Sequence, residues 1–171
     1  MADDYRGVVG AFPYAFRASD SHLFRSYVVL GGLLTVAVSL LFIAAVIGVI
    51  ATTTGGRGGS LTLSRSFFAV VGLFVVVPLV APVLFVARRH RRAGDDPADG
   101  PYDAALAAAG YLFVVALYVG LVVSVPPSQQ TAPTGPLAPV VAALYSLPQL
   151  AGVVPPLVAA AVILLCHRRL R

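Results

Sequence analysis

Four long runs of mostly apolar residues dominate the pattern along the chain. They cover residues 27–51, 67–87, 104–125 and 137–166, and none of them contains Asp, Glu, Lys, Arg or His. A helix needs roughly 20 residues to cross ~30 Å of hydrocarbon. Because the runs are continuous and too long for barrel strands, helices are favoured. The pattern predicts a single all-α membrane domain, residues 1–171, with four transmembrane helices.

The composition supports the lipid bilayer as the solvent of this chain. Of 171 residues, 58% are hydrophobic and 11% are charged, whereas soluble domains are about 45–50% apolar and about 25% charged. The first run is not a secretory signal, because it is 25 residues long and 26 residues precede it. The apolar region of a signal peptide is only roughly 7–15 residues long.

The distribution of arginine predicts the orientation. All 12 basic residues are Arg, with three before the first run, four at 88–92 and three after the fourth run, against two between the first and second runs. An excess of basic residues in short loops marks the cytoplasmic side. We therefore expect a multi-pass protein of the cell membrane with both termini cytoplasmic.

Residues 1–26 have the pattern of a membrane-surface segment, with a docking segment for a cytoplasmic partner as the alternative. Arg6 and Arg17 are available to lipid headgroups, and "SDS" at 19–21 is typical of a helix N-cap. We expect the helix of the first run to begin near His22 and to continue unbroken into the membrane. Four apolar residues share one helical face: Val8, Val9, Phe12 and Phe16.

Prolines interrupt the second and fourth runs. Pro78 and Pro82 lie in the second run, and Pro148, Pro155 and Pro156 lie in the fourth. Each proline removes a backbone donor and bends or breaks a helix, so both helices are predicted to be kinked. Near mid-bilayer, such breaks serve packing, a hinge or a substrate site, because the freed carbonyls need partners.

The fourth run is longer than a membrane span requires. Its 30 residues would extend ~45 Å as a helix, against a hydrocarbon core of ~30 Å. Two arrangements are open. Either one long helix tilts and kinks, or residues 137–147 form a short outer helix before the true span.

The loop after the second run contains an acidic cluster that resembles a metal-binding motif. "DDPAD" matches the D-D-x-x-D pattern with which prenyltransferases hold Mg²⁺ and a diphosphate. Pro97 and Gly100 disfavour the helix that would align the carboxylates, and no second acidic cluster is present. We expect a solvated loop without metal, and Asp103 near the start of the third helix, where a carboxylate is favourable. The three carboxylates of the motif are Asp95, Asp96 and Asp99.

Polar residues inside the runs are few. Tyr111 and Tyr118 are seven residues apart on one face of the third run, and Thr35 or Ser39 of the first run could bond their hydroxyls. Such a face is more typical of packing than of a ligand site. Small residues at four-residue spacing, such as Ala116 with Gly120, are typical of close helix contacts.

The sequence shows no catalytic pattern. Cys166 is the single cysteine, so no internal disulfide is possible. His22, His90 and His167 would have to converge from three segments to bind a metal. No Ser/His/Asp arrangement, phosphate loop or H-E-x-x-H motif is present. We predict no catalytic, cofactor or metal site, and no enzyme. The arginine clusters are expected to contact anionic lipid rather than nucleic acid.

Three stretches resemble a known group of proteins. "FPYAFRASDSHLFRSYVV" (12–29), "APVLFVARRHRR" (81–92) and "AGYLFVVALYVGLVVSVPP" (109–127) resemble an uncharacterised family of small four-helix integral membrane proteins of halophilic archaea. The exclusive use of Arg and Asp as charged residues fits a GC-rich genome and a salt-rich cytoplasm. The resemblance implies a topology and a source, and no activity.

Two classes of function remain. The first is a non-enzymatic scaffold or accessory subunit that acts through helix faces, with a protein partner or a second copy of itself. The alternative is an oligomeric transporter or channel for small solutes. The alternative predicts a water-filled pathway lined by Ser39, Tyr111 and the proline breaks.

Overall fold

Six α-helices and two short 3-10 segments form the part of the protein that the computed structural model describes, residues 7–52, 58–93 and 100–170. Those residues contain no strand, so the all-α prediction is confirmed. The helices are α1 (Gly7–Ala18), α2 (His22–Thr52), α3 (Gly58–Ala93), α4 (Gly100–Val123), α5 (Ala138–Tyr145) and α6 (Val154–Leu170).

Four helical segments are long and apolar enough to cross a membrane. Their number agrees with the sequence pattern, and the first begins at His22 as the "SDS" motif predicts. The third begins at Gly100 and therefore includes Asp103, which the predicted span 104–125 leaves outside. The segments are His22–Ala51, Ser66–Ala93, Gly100–Val123 and Gln149–Leu170.

The junction of α1 and α2 is fixed by local hydrogen bonds. The backbone N–H of Phe24 donates to the Ser21 hydroxyl at 3.3 Å, so Ser21 caps α2. The Nε of Arg25 donates to the carbonyls of Phe16 at 3.2 Å and Ser19 at 2.8 Å. A cation at these carbonyls also opposes the negative end of the α1 dipole. Arg25 therefore closes α1 and sets its direction relative to α2.

Helix α1 packs into the bundle as well as presenting a surface. It continues through Pro13, and Ala11 and Ala15 are fully buried. The ring of Phe12 lies against Gly32, where an added Cβ would meet it at 3.3 Å. Gly32 is ten residues into α2, about 15 Å along its axis. The N-terminal segment thus reaches the level of the first apolar run.

The buried core runs along α4 and is broadest toward the end of the bundle that carries the arginines of residues 88–92 and 168–169, which we call the basic end. Helix α2 contributes Phe24, Tyr27 and Val28 to this core. From residue 32 to residue 51 no residue of α2 is buried. Helix α4 is central, with buried residues from Tyr102 to Val123.

The fourth apolar run is not a single helix, which corrects the predicted span 137–166. Helix α5 ends at Tyr145, a 3-10 segment covers Gln149–Val153, and α6 begins at Val154. Pro148 separates the two helices, because a proline disfavours the helical conformation of the residue before it. Of the two arrangements that the sequence leaves open, the separate short helix is observed, and its position on the outer side stays a prediction. Bending of α3 at its prolines and the orientation of the termini stay predictions.

The prolines of α6 stand at a helix start rather than within a long helix. Pro155 and Pro156 lie in the first turn, where the missing N–H groups would have no partner in any case. The same region packs closely on α4. A Cβ added to Gly120 would overlap the carbonyl oxygen of Gly152 and would come 3.2 Å from Pro156. Two glycines therefore allow the start of α6 to touch the α4 backbone.

Candidate functional site

The candidate site is a polar cluster where α3, α4 and α6 meet at the basic end. The sequence places two histidines and an aspartate near the ends of these helices, and the structure brings them together. We call the following residues the His–Asp cluster: Phe85, Arg89, His90, Tyr102, Asp103 and His167.

The centre of the cluster is a buried pair. The Nε2 of His90 lies 2.8 Å from Oδ2 of Asp103, and their side chains are 9% and 1% exposed. His90 lies in the last turn of α3 and Asp103 in the first turn of α4. A cation is favoured at a helix C-terminus and an anion at a helix N-terminus. The pair therefore joins the C-terminal end of α3 to the N-terminal end of α4.

Asp103 has unused bonding capacity. Its Oδ1 is buried and has no hydrogen-bond partner in the described part of the chain. An unpaired acceptor in the interior costs about 1–3 kcal/mol. A side chain kept in this state is able to accept a further hydrogen-bond donor. The sequence predicted Asp103 near the helix start, which is correct, but its burial and its bond to His90 were not foreseen.

His167 brings α6 into the cluster. Its Nδ1 lies 2.6 Å from the hydroxyl of Tyr102. The imidazole also stacks on the ring of Phe85, with centroids 4.0 Å apart and planes 10° from parallel. His167 thus connects α6 to both α3 and α4.

Arg89 covers the cluster from α3. Its guanidinium lies 4.2 Å from the centre of the Tyr102 ring, a distance typical of cation–π attraction. One terminal nitrogen of the same group, Nη1, donates to the carbonyl of Leu170 at 2.6 Å. An arginine predicted only to face lipid therefore also closes the C-terminal end of α6.

A second polar contact lies deeper in the bundle. The hydroxyl of the buried Tyr27 donates to the carbonyl of Leu79 at 2.8 Å. Leu79 is three residues before Pro82, in the region where a proline disturbs the helical hydrogen bonds. The ring of Tyr27 fills the space beside Gly110, where an added Cβ would lie 2.7 Å from the hydroxyl oxygen. A hydroxyl of α2 thus donates to a carbonyl of α3 that lies between its two prolines, whereas the carbonyl freed by Pro82 is that of Pro78.

Tyr111 has a different partner from the one that the sequence suggested. Its hydroxyl lies 2.8 Å from that of Ser26, and Thr35 donates to the carbonyl of Gly31 within its own helix. Ser39 is thirteen residues beyond Ser26, about 20 Å along α2, so the structure does not bring Ser39 and Tyr111 together. Tyr118 is 69% exposed.

The remaining sequence candidates do not join the cluster. His22 is exposed at the start of α2. Cys166 is a free, partly buried thiol and packs against the core. Asp95, Asp96 and Asp99 lie outside the described residues. No group of three metal-ligating side chains is found within the described ranges.

The fold and the cluster together define an all-helical protein with four helices able to span a membrane and a polar centre at one end. The chain belongs to the family described as Domain of unknown function (DUF8056), whose model matches residues 1–171. The expectation of an uncharacterised family is thereby confirmed, and the halophilic source stays a prediction. Neither the curated proteins nor the solved structures gave a match to the chain.

Proposed function

We propose that the protein is a non-enzymatic, multi-pass protein of the cell membrane that acts as a scaffold or accessory subunit through α2. The supporting observation is that α2 has no buried residue from 32 to 51. Its outer part contacts α3, where the ring of Phe42 lies 3.1 Å from the position of a Cβ on Gly72. The rest of its surface is open to lipid or to another protein.

The exposed surface of α2 combines large and small side chains. Leu33 and Leu41 are 67% and 68% exposed, and the exposed Ala37 and Ala44 share the same face of the helix. Helix association in membranes depends on van der Waals packing, and small residues allow close approach. This surface therefore suits a second transmembrane helix, from a partner or from another copy of the chain.

Photocrosslinking in native membranes tests this proposal. A benzoylphenylalanine at Leu41 should give a protein adduct of defined mass. The matched control is Leu121 of α4, which is 62% exposed and should give lipid adducts only. If both positions give the same adducts, or neither crosslinks to protein, α2 is not a partner-binding helix.

The second candidate function is a transporter or channel for small solutes, coupled to protons. The buried His90–Asp103 pair favours it, because ionisable groups inside membrane bundles often mark ion and proton paths. The free acceptor on Asp103 is a suitable place for a transported proton. In the scaffold proposal the same pair serves only to hold α3 and α4 together.

Proton flux into vesicles separates the two functions. Purified protein in liposomes with a trapped pH-sensitive dye would acidify the lumen under an imposed potential if it conducts protons. Asp103→Asn should then abolish the flux, and Tyr118→Phe, a change on an exposed side chain of α4, should preserve it. Flux equal to that of empty liposomes would exclude the coupled transporter and leave the scaffold proposal untouched.

A water-filled path can also be tested in intact membranes. Cysteines introduced at Ser39 and Tyr111 would react with a water-soluble thiol reagent if such a path passes them.

A further inference from the structure

An apolar groove runs between α1 and the first turns of α2. It is an open cleft of about 430 Å³. Val28 and Val29 belong to the first candidate span, so one wall of the groove lies on a helix that is apolar enough to enter hydrocarbon. Its lining residues are Phe12, Pro13, Phe16, Arg17, Val28 and Val29.

The two arginines beside the groove differ in their contacts. Arg25 is engaged by the carbonyls of Phe16 and Ser19 and lies 3.8 Å from Asp20. Arg17 is exposed and lines the groove, and it forms no hydrogen bond or ion pair within the described ranges. Among the described residues that line this groove, Arg17 is the one charged side chain, and its guanidinium is available to a ligand.

We propose that this groove binds one anionic phospholipid. The phosphate contacts the guanidinium of Arg17, which presents paired donors to phosphate oxygens. An acyl chain lies along Phe16 and Val29, which are 40% and 53% exposed and lose contact with water or looser lipid on binding. An apolar wall with one cation at its edge matches the two parts of such a lipid.

The geometry of α1 makes the groove a fixed site. Arg25 closes the C-terminal end of α1, and Ala11 and Ala15 are fully buried. The distance between the α1 and α2 walls is therefore set by the packing of the protein before lipid arrives. A freely mobile surface helix would instead recruit anionic lipid through charge alone, without a defined position for the acyl chain.

Tryptophan fluorescence provides the test, because the natural chain contains no tryptophan. The variant Val29→Trp places one reporter at the rim of the groove. The protein is reconstituted in phosphatidylcholine with a small fraction of brominated lipid, either phosphatidylglycerol or phosphatidylcholine. Brominated phosphatidylglycerol should be enriched about fivefold at this position, the ratio that corresponds to ~1 kcal/mol per basic residue near a membrane surface.

Three controls make the outcome specific. Leu157→Trp on α6 has nearly the same exposure, 52% against 53%, lies eleven residues before Arg168, and should be quenched equally by both lipids. Arg17→Gln in the Val29→Trp background should remove the preference, and Arg17→Lys should retain part of it. Arg169→Gln, which removes a charge outside the groove, should leave it intact. Equal quenching at Val29, the same preference at Leu157, or a preference that survives Arg17→Gln would each overturn the proposal.

Discussion

His90 and Asp103 are thirteen residues apart in the chain, and their side chains meet at 2.8 Å across the junction of α3 and α4. Each residue lies at the end of its helix where its charge is favourable. The pair therefore connects two consecutive helices and gives each of two buried polar side chains a hydrogen-bond partner. One carboxylate oxygen remains without a donor, which makes Asp103 sensitive to the loss of its single partner.

Removal of one member of this pair should destabilise the protein strongly. His90→Ala leaves the Asp103 carboxylate buried and unpaired, and such changes cost about 3–5 kcal/mol. Thermal unfolding of the purified protein in detergent should show a large fall in the midpoint. His22→Ala, a change of the same kind at an exposed position, should leave the midpoint unchanged.

A double replacement distinguishes pairing from packing. Replacing both His90 and Asp103 by leucine removes both charges together, and buried ion pairs can often be exchanged for apolar residues at little cost. We expect the double variant to be more stable than His90→Ala. A double variant as unstable as the single one would show that the shape of the pair, and not its charge, holds α3 and α4.

The hydroxyl of Tyr27 should contribute measurably to the packing of α2 on α3. Tyr27→Phe keeps the ring beside Gly110 and removes only the hydrogen bond to the Leu79 carbonyl. The expected loss of stability is about 1 kcal/mol, typical of a hydrogen bond between membrane helices. Tyr118→Phe on α4 is the matched control, because that side chain is 69% exposed. If the two variants lose stability equally, the Tyr27 bond is not significant.

A side chain added at Gly152 should lower the stability of the contact between α4 and the 3-10 segment before α6. A Cβ on Gly152 would overlap the hydroxyl oxygen of Ser124, so Gly152→Ala must push the two elements apart. We expect a loss of roughly 1–3 kcal/mol, the usual range for overpacking. Gly48→Ala meets no atom within 4 Å and should be neutral or slightly stabilising. Equal midpoints for both variants would show that α6 moves freely on α4.

The sequence predicts the elements of this fold better than their contacts. The length of an uncharged run can be read from consecutive residues alone. The sequence therefore predicts the four spans and the start of α2 near His22. The division of the fourth run also depends on a local feature, Pro148, but composition alone allowed either a kink or a break. The structure shows a break, since the 3-10 segment before Val154 lets Gly152 contact α4.

The His–Asp cluster depends on how helices are rotated and offset, which no single run reveals. His90 lies among arginines whose positions the orientation rule explains. No separate feature of the sequence indicates that its side chain is buried. Asp103 did carry one, because a carboxylate in the first turn of an apolar run has little access to water. The same limitation applies to Tyr111, whose bond to Ser26 rather than Thr35 or Ser39 reflects the offset of α4 along α2.

We expect the C-terminus and the segment between α3 and α4 to lie on the cytoplasmic side of the membrane. A tag at the C-terminus and a tag inserted after Gly94 should both resist external protease in intact cells, because most arginines lie on that side. A tag inserted after Gly135, in the segment between α4 and α5, should be digested. Digestion of either of the first two tags would reverse the proposed orientation.

The causal role of the charges requires variants that leave the packing intact. Arg89 donates to Leu170 and covers Tyr102, so its replacement would change stability as well as charge. Replacing the exposed Arg88 and Arg92 with Gln keeps Arg89 and Arg91 in place and removes two of the four positive charges of this loop. The tag after Gly94 should then become partly accessible, because the strongest retention signal is weakened. Full protection in this variant would mean that the other arginines suffice to hold the orientation.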